Sequence, residues 1–112
     1  MLNPSDILRG YVDTIILSQL DDEDGYGYSI SRKIAEKTEG TLEMKEGTLY
    51  STFRRLESLG MIESYWGNEQ EGARRRYYHL TENGRQLLHE NIRDIKKYNA
   101  LIDKIFSKEE AV

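Results

Sequence analysis

The final quarter of the chain limits the fold more than any other segment. Thr81-Glu82-Asn83-Gly84 offers a helix cap, and beyond it an amphipathic pattern runs to about residue 106. Leu88, Ile92, Ile95, Leu101, Ile102 and Ile105 form its apolar stripe, with Tyr98 bridging the gap. A helix of roughly 25 residues is about 37 Å long. The core of a 112-residue chain cannot cover that length. An apolar stripe that outruns its own domain packs on another chain, so a second copy is expected against it.

The preceding segments read as three helices and a hairpin. Asn3 can cap and Pro4 is tolerated at a first helical position. From there Ile7, Leu8, Tyr11, Val12, Ile15, Ile16 and Leu20 recur at helical spacing until Asp21-Asp22-Glu23-Asp24 and Gly25 end the pattern. Gly10 lies inside this first helix, either for close packing or as a defect costing about 1 kcal/mol. A second helix is expected from 27 or 28 to 39, with Ile30, Ile34 and Ala35 inward, Arg32, Lys33 and Lys37 outward, and Gly40 as its stop. A third spans about 46–59, where Leu49, Phe53, Leu56 and Leu59 form the inner stripe and Gly60 the left-handed cap. Its outer face carries Thr48, Ser51, Arg55 and Ser58. A groove-reading helix needs such a row, and any solvated helix face looks the same.

Residues 61–66 and 73–80 are β-branched and aromatic, and the polar, glycine-flanked stretch 67–72 joins them as a hairpin. Three helices, a hairpin and a long helix give a mainly α fold, a winged helix-turn-helix with an appended C-terminal helix. The expected division is a winged-helix domain over 1–82, a dimerisation helix over 83–106 and a tail over 107–112.

Net charge is −4, but its distribution matters more than its sum. Acids crowd at Asp21 to Asp24 and at Glu109-Glu110, whereas Arg74-Arg75-Arg76 stand together beside the hairpin tip. Strand alternation sends Arg74 and Arg76 to one face and Arg75 to the other, so a guanidinium looks outward whichever face is buried. Guanidiniums pair well with phosphate, and each contact releases counterions. The alternative is a solvated strand that protects a sheet edge. Tyr65, Trp66, Tyr77 and Tyr78 are expected to pack across the hairpin. Tyr50, next to Leu49, can bury its ring and extend its hydroxyl to a backbone phosphate.

Enzymatic chemistry finds little support. Cysteine is absent, which removes disulfides, thiolate metal sites and thiol nucleophiles. His79 and His89 read as surface or packing residues, and neither a metal motif nor a phosphate-binding glycine loop occurs. No cofactor or metal is expected. The longest apolar runs, such as Thr14-Ile15-Ile16-Leu17, are far below the roughly 20 residues that cross a bilayer. Met1-Leu2-Asn3-Pro4-Ser5-Asp6 lacks the basic start and apolar run of a signal peptide, so a soluble cytoplasmic protein without a membrane partner is expected.

At this point the motifs resemble a known family. The stretch from Glu46-Gly47-Thr48-Leu49-Tyr50 through Arg54-Arg55-Leu56-Glu57-Ser58-Leu59-Gly60-Met61-Ile62 is similar to the third helix and following turn of PadR-family repressors. Tyr26-Gly27-Tyr28-Ser29-Ile30 resembles their second-helix entry, and Arg74-Arg75-Arg76-Tyr77-Tyr78 and Leu80-Thr81-Glu82-Asn83-Gly84 follow in the right order. The resemblance implies a homodimeric repressor whose domain over 1–82 binds double-stranded DNA and whose last helix packs with the partner's first helix, with third helices in adjacent major grooves and wings along the backbone. Its operator would be a pseudo-palindrome with half-sites about one helical turn apart.

The expected DNA-contacting set is Lys45, Thr48, Tyr50, Ser51, Arg54, Arg55, Arg74, Arg75 and Arg76, and the expected dimer interface is Ile7, Leu8, Tyr11, Leu88, Ile92, Ile95, Tyr98 and Ile102. The chain is similar to the short multidrug-sensing members, several of which hold flat aromatic compounds between tryptophans of the last helix at the dimer centre. Here Ile95 takes the corresponding place and the sole tryptophan, Trp66, sits in the wing. Leu8, Tyr11, Val12, Ile15, Ile92 and Ile95 would line a pocket for a small hydrophobic or aromatic effector, or form a closed dimer core. A winged-helix module that docks another protein instead of DNA is the alternative function.

Overall fold

The computed structural model describes residues 2–68 and 74–108. The chain forms α1 (Pro4–Leu8), a 3-10 turn (Arg9–Tyr11), α2 (Val12–Gln19), β1 (Gly25–Tyr26), α3 (Gly27–Lys37), α4 (Glu46–Ser58), β2 (Ile62–Trp66), β3 (Arg76–Leu80) and α5 (Glu82–Phe106). It is a helix-rich fold with a small antiparallel sheet, as the order of elements implied. The hairpin-tip residues 69–73 and the tail residues 109–112 lie outside the described residues.

Several expectations need correction. The first helix is not continuous, because the chain tightens into a 3-10 turn around Gly10. A Cβ there would meet nothing within 4 Å, so the glycine serves no close packing and marks the weak point of the helix. The hairpin is joined by a third strand, β1, which pairs with β3 through Gly25↔Tyr78 and Tyr26↔Tyr77 and gives the order β1-β3-β2. Leu59 is 58% exposed rather than part of the inner stripe, since the helix ends beside it at the Gly60 cap.

The core lies where α2, α3, α4 and the base of α5 cover one face of the sheet. Ile16, Leu17, Ile30, Ile34, Leu56 and Ile62 are fully enclosed, and Phe53 of α4 stacks on Tyr78 of β3 with centroids 4.1 Å apart. Burial pushes the Tyr78 phenol above its ordinary pKa. On the opposite face Tyr77 meets Tyr65 and Tyr26 at 5.7 and 5.4 Å. The aromatic hairpin residues therefore divide between core and outer face, as alternation requires.

Two junctions fix the angles between elements. Thr81 caps α5 by accepting from the Gly84 amide at 3.0 Å, and Gly84 lies so close to the Met61 carbonyl that a Cβ would come within 2.0 Å of it. At the start of α3, Ser29 Oγ accepts from the Tyr26 amide at 2.9 Å and donates to the Tyr26 carbonyl at 3.0 Å. The strand β1 thus feeds directly into the helix.

α5 leaves this core after its first turns. Leu88 is 1% exposed, within the chain's own core, so its expected place in a subunit interface is wrong. Ile92 and Ile95 are half-buried, whereas Tyr98, Leu101, Ile102, Ile105 and Phe106 stand exposed along the distal turns. Among the described residues no helix is long and apolar enough to cross a membrane.

Candidate nucleic-acid interface

Successive residues of α4 turn by 100° per step, which sorts its outward side chains into three rows. Tyr50 and Arg54 face the wing, Ser51 and Ser58 the solvent between, and Thr48 and Arg55 the side of α2. Lys45 sits at the N-cap of α4, exposed, and lines a depression with Thr48, Asn3, Asp6 and Arg9. The Ser51 and Ser58 hydroxyls donate to carbonyls of their own helix, Thr48 O at 3.1 Å and Arg55 O at 2.8 Å.

Arg55 differs from the rest of the expected set. Its Nη1 and Nη2 donate to both carboxylate oxygens of Asp13 on α2, at 2.7 and 2.5 Å. That hydrogen-bonded pairing and the facing charge raise its pKa further. The structure gives it an intramolecular partner that no local pattern could have indicated, since the two residues lie 42 apart in sequence.

Tyr50 packs edge-on against Phe53 at 5.6 Å, with its hydroxyl end over Gly27. A Cβ at Gly27 would lie 2.4 Å from that hydroxyl oxygen, so the missing side chain is what lets the phenol lie across the start of α3. Beside it Tyr28 is exposed and accepts from Arg32 Nη1 at 3.1 Å.

At the wing, β3 begins at Arg76, so Arg74 and Arg75 precede the strand rather than belonging to it. Regular pairing ends at Trp66↔Arg76, followed by one bond from the Gly67 amide to the Arg75 carbonyl at 2.7 Å. The expected alternation nevertheless holds. Arg74 and Arg76 both lie over the Trp66 indole, 5.4 and 5.9 Å from its centroid, and Arg75 lies over Tyr26 at 4.7 Å. Arg76 also donates to Ser64 Oγ at 2.7 Å and approaches Glu57 Oε1 at 3.5 Å.

These side chains enclose a cleft of about 540 Å³ between the start of α3, the outer face of α4 and the root of the wing. Arg54, Arg74, Arg75 and Arg76 line it together with Tyr26, Tyr28, Tyr50, Trp66 and Tyr78, and among the described residues Glu57 is the single carboxylate there. Among the described residues, four guanidiniums against one carboxylate, set among aromatic rings, suit a polyanion with flat or sugar-bearing groups. Tyr26, Tyr28, Glu57 and Trp66 were not among the expected contact residues. The aromatics flanking Gly27 were the available signal.

The acidic segment lies apart from this cleft. Asp24 accepts from the Tyr65 hydroxyl and from His79 Nδ1, the latter at 2.7 Å, on the outer face of the sheet. Burial alone would raise the Asp24 pKa, but the hydrogen bonds from Tyr65 and His79 and the His79 charge outweigh it and hold the carboxyl below its usual range. The same hydrogen bond pushes the Tyr65 phenol up to about 12. Asp21 pairs with Arg85, and Glu23 lies 3.4 Å from Lys33.

Between α2 and α5 there is a shallow cleft of about 350 Å³ that brings together Leu8, Tyr11, Ile15, Ile92 and Ile95 from the expected pocket, with Thr14, Ser18 and Asn99. Val12 turns away into the depression beside α1 and does not line it. Tyr11 donates to Asn99 Oδ1 at 3.3 Å, and Asn91 Nδ2 donates to Thr14 Oγ1 at 3.0 Å, joining the two helices across its floor.

Residues 16–90 match the transcriptional regulator PadR-like family. Among solved structures, the chain is similar to a transcriptional regulator from Clostridium thermocellum, with 45% identity and a TM-score of 0.84 over 92% of this chain and 100% of that one. A PadR family transcription regulator from Clostridium difficile is 35% identical, with a TM-score of 0.78 over 88% of this chain and 100% of the other. PadR of Bacillus subtilis, solved in complex with operator DNA, shares the fold at 23% identity, with a TM-score of 0.65 over 72% of this chain and 46% of that protein.

Proposed function

Because the chain belongs to the transcriptional regulator PadR-like family, we propose that it is a DNA-binding repressor that grips a pseudo-palindromic operator as a homodimer. The observation that carries this reading is the cleft in which Arg54 of α4 and Arg74, Arg75 and Arg76 of the wing converge among aromatic rings. α4 enters the major groove, with Lys45, Thr48, Tyr50, Ser51 and Arg54 toward the DNA. Arg74 and Arg75 follow the adjacent backbone. Arg55 and Arg76 contribute mainly by holding α4 and the wing in place, since Asp13 and the Glu57–Ser64 pair engage them. A protein of the same fold was solved on operator DNA, which supports DNA as the partner.

Two copies join through α5, its exposed distal side chains meeting the partner's α1 and α2, where Ile7, Leu8 and Tyr11 are accessible. This pairing fixes the distance between the two α4 helices. A small hydrophobic effector seated between α2 and α5 would change that distance and release the operator through its differential affinity for the two dimer forms.

Sequencing genomic fragments retained by the purified protein tests the proposal. Expected is enrichment of inverted repeats whose half-sites lie about one helical turn apart. Retention of proteins without enrichment of any duplex would replace it with a protein-docking module.

A further inference from the structure

We infer that Trp66 is a positioning residue for DNA contact, an indole platform that holds the guanidiniums of Arg74 and Arg76 side by side at the mouth of the basic cleft. The inference rests on the DNA-binding reading above and goes beyond it by assigning a role to a residue outside the expected contact set.

Trp66 is the last residue of β2 and is 54% exposed, so the core does not account for its size. It is also the end of a chain of contacts that starts on the groove-facing helix. Glu57 of α4 accepts from the Ser64 amide at 3.1 Å and from Ser64 Oγ at 2.6 Å. Ser64 Oγ in turn accepts from Arg76 at 2.7 Å, and Arg76 lies over the indole that also carries Arg74. The wing arginines are thereby held at a set position relative to α4. Arginine is rotamer-rich, and fixing such a side chain on binding costs affinity unless it is already ordered. A ring that orders two of them beforehand removes that cost without touching phosphate itself.

The test compares Kd for one retained duplex across a salt series in wild type, Trp66→Leu, Trp66→Phe and Arg74→Ala. Leucine keeps apolar bulk for folding but lacks a π face, whereas phenylalanine restores one. Expected is binding about 10-fold weaker for Trp66→Leu, from two arginines no longer ordered beforehand, and near-complete rescue by Trp66→Phe. The salt slope of both should match wild type, because every phosphate-neutralising cation remains, while Arg74→Ala should lose about two units of slope, one for each subunit of the dimer. Leu and Phe variants that bind alike would overturn the inference and leave the DNA-binding reading intact. So would a Leu variant whose slope falls as far as that of Arg74→Ala. A wild-type protein that binds no duplex would overturn both.

Discussion

Arg55 of α4 and Asp13 of α2 meet end-on, Nη1 and Nη2 each within 2.7 Å of a different carboxylate oxygen. The pair fixes the roll of α4 against α2, the helix that also packs on α5. Both side chains are more than a third exposed, so solvent screening limits its contribution to under about 1 kcal/mol. A double-mutant cycle with Asp13→Ala and Arg55→Ala, followed by denaturant unfolding, should give a favourable coupling of that size. A coupling of zero would mean that the pair does not orient α4.

Gly84 should be intolerant of any side chain. The nearest atom to an added Cβ is the Met61 backbone carbonyl oxygen, which cannot rotate away, and Leu80 Cδ1 crowds the same space at 2.8 Å. Gly84→Ala is therefore expected to destabilise the fold by about 1–3 kcal/mol, the usual cost of overpacking. Gly10→Ala faces open space and should be neutral or stabilising. Urea unfolding of the two variants checks the contrast.

The Tyr65–Asp24–His79 cluster should make stability depend on pH at both extremes. Asp24 ionises more easily folded than unfolded, so its contribution is present above the ordinary carboxylate range and is lost as pH falls through its depressed value. Tyr65 is the opposite case. Its pKa rises from 10.0 to about 12, so its contribution is complete below 10.0 and disappears as pH climbs through about 12. In a tyrosinate absorbance titration, Tyr65→Phe should remove a late-ionising phenol. Asp24→Asn should move that phenol back toward 10.0.

The distal face of α5 should govern assembly. Ile102 is 42% exposed in the single chain, among Tyr98, Leu101, Ile105 and Phe106, and a carboxylate there would be driven into an apolar seam. Ile102→Asp is expected to sediment as a monomer at concentrations where the wild type is a dimer, with its helical circular dichroism largely retained. An unchanged dimer would place the interface elsewhere.

Much of this molecule was legible in the sequence because the signals were periodic or punctuated. The stripe of α4, the Gly60 cap, the hairpin order and the length of α5 all followed from spacing. β1 did not, since two residues carry no alternation and Gly25-Tyr26 becomes a strand only because β3 offers it an edge. Leu88 was misplaced because a continuous stripe does not say which rungs the chain covers itself and which it leaves for a partner. Glu57, Ser64 and Trp66 were missed as part of the site for a related reason. Their convergence on Arg76 depends on strand register and on the seat of α4 against the sheet, which are tertiary facts.

The most direct test of DNA binding through the basic cleft is an equilibrium titration of one retained duplex at salt concentrations from about 50 to 200 mM. With six to ten phosphates neutralised per dimer, the affinity should fall by about 10³ to 10⁵ over that range, and Arg54→Ala combined with Arg74→Ala should flatten the line markedly. An affinity indifferent to salt, or a slope untouched by the double substitution, would contradict the placement of DNA in this cleft.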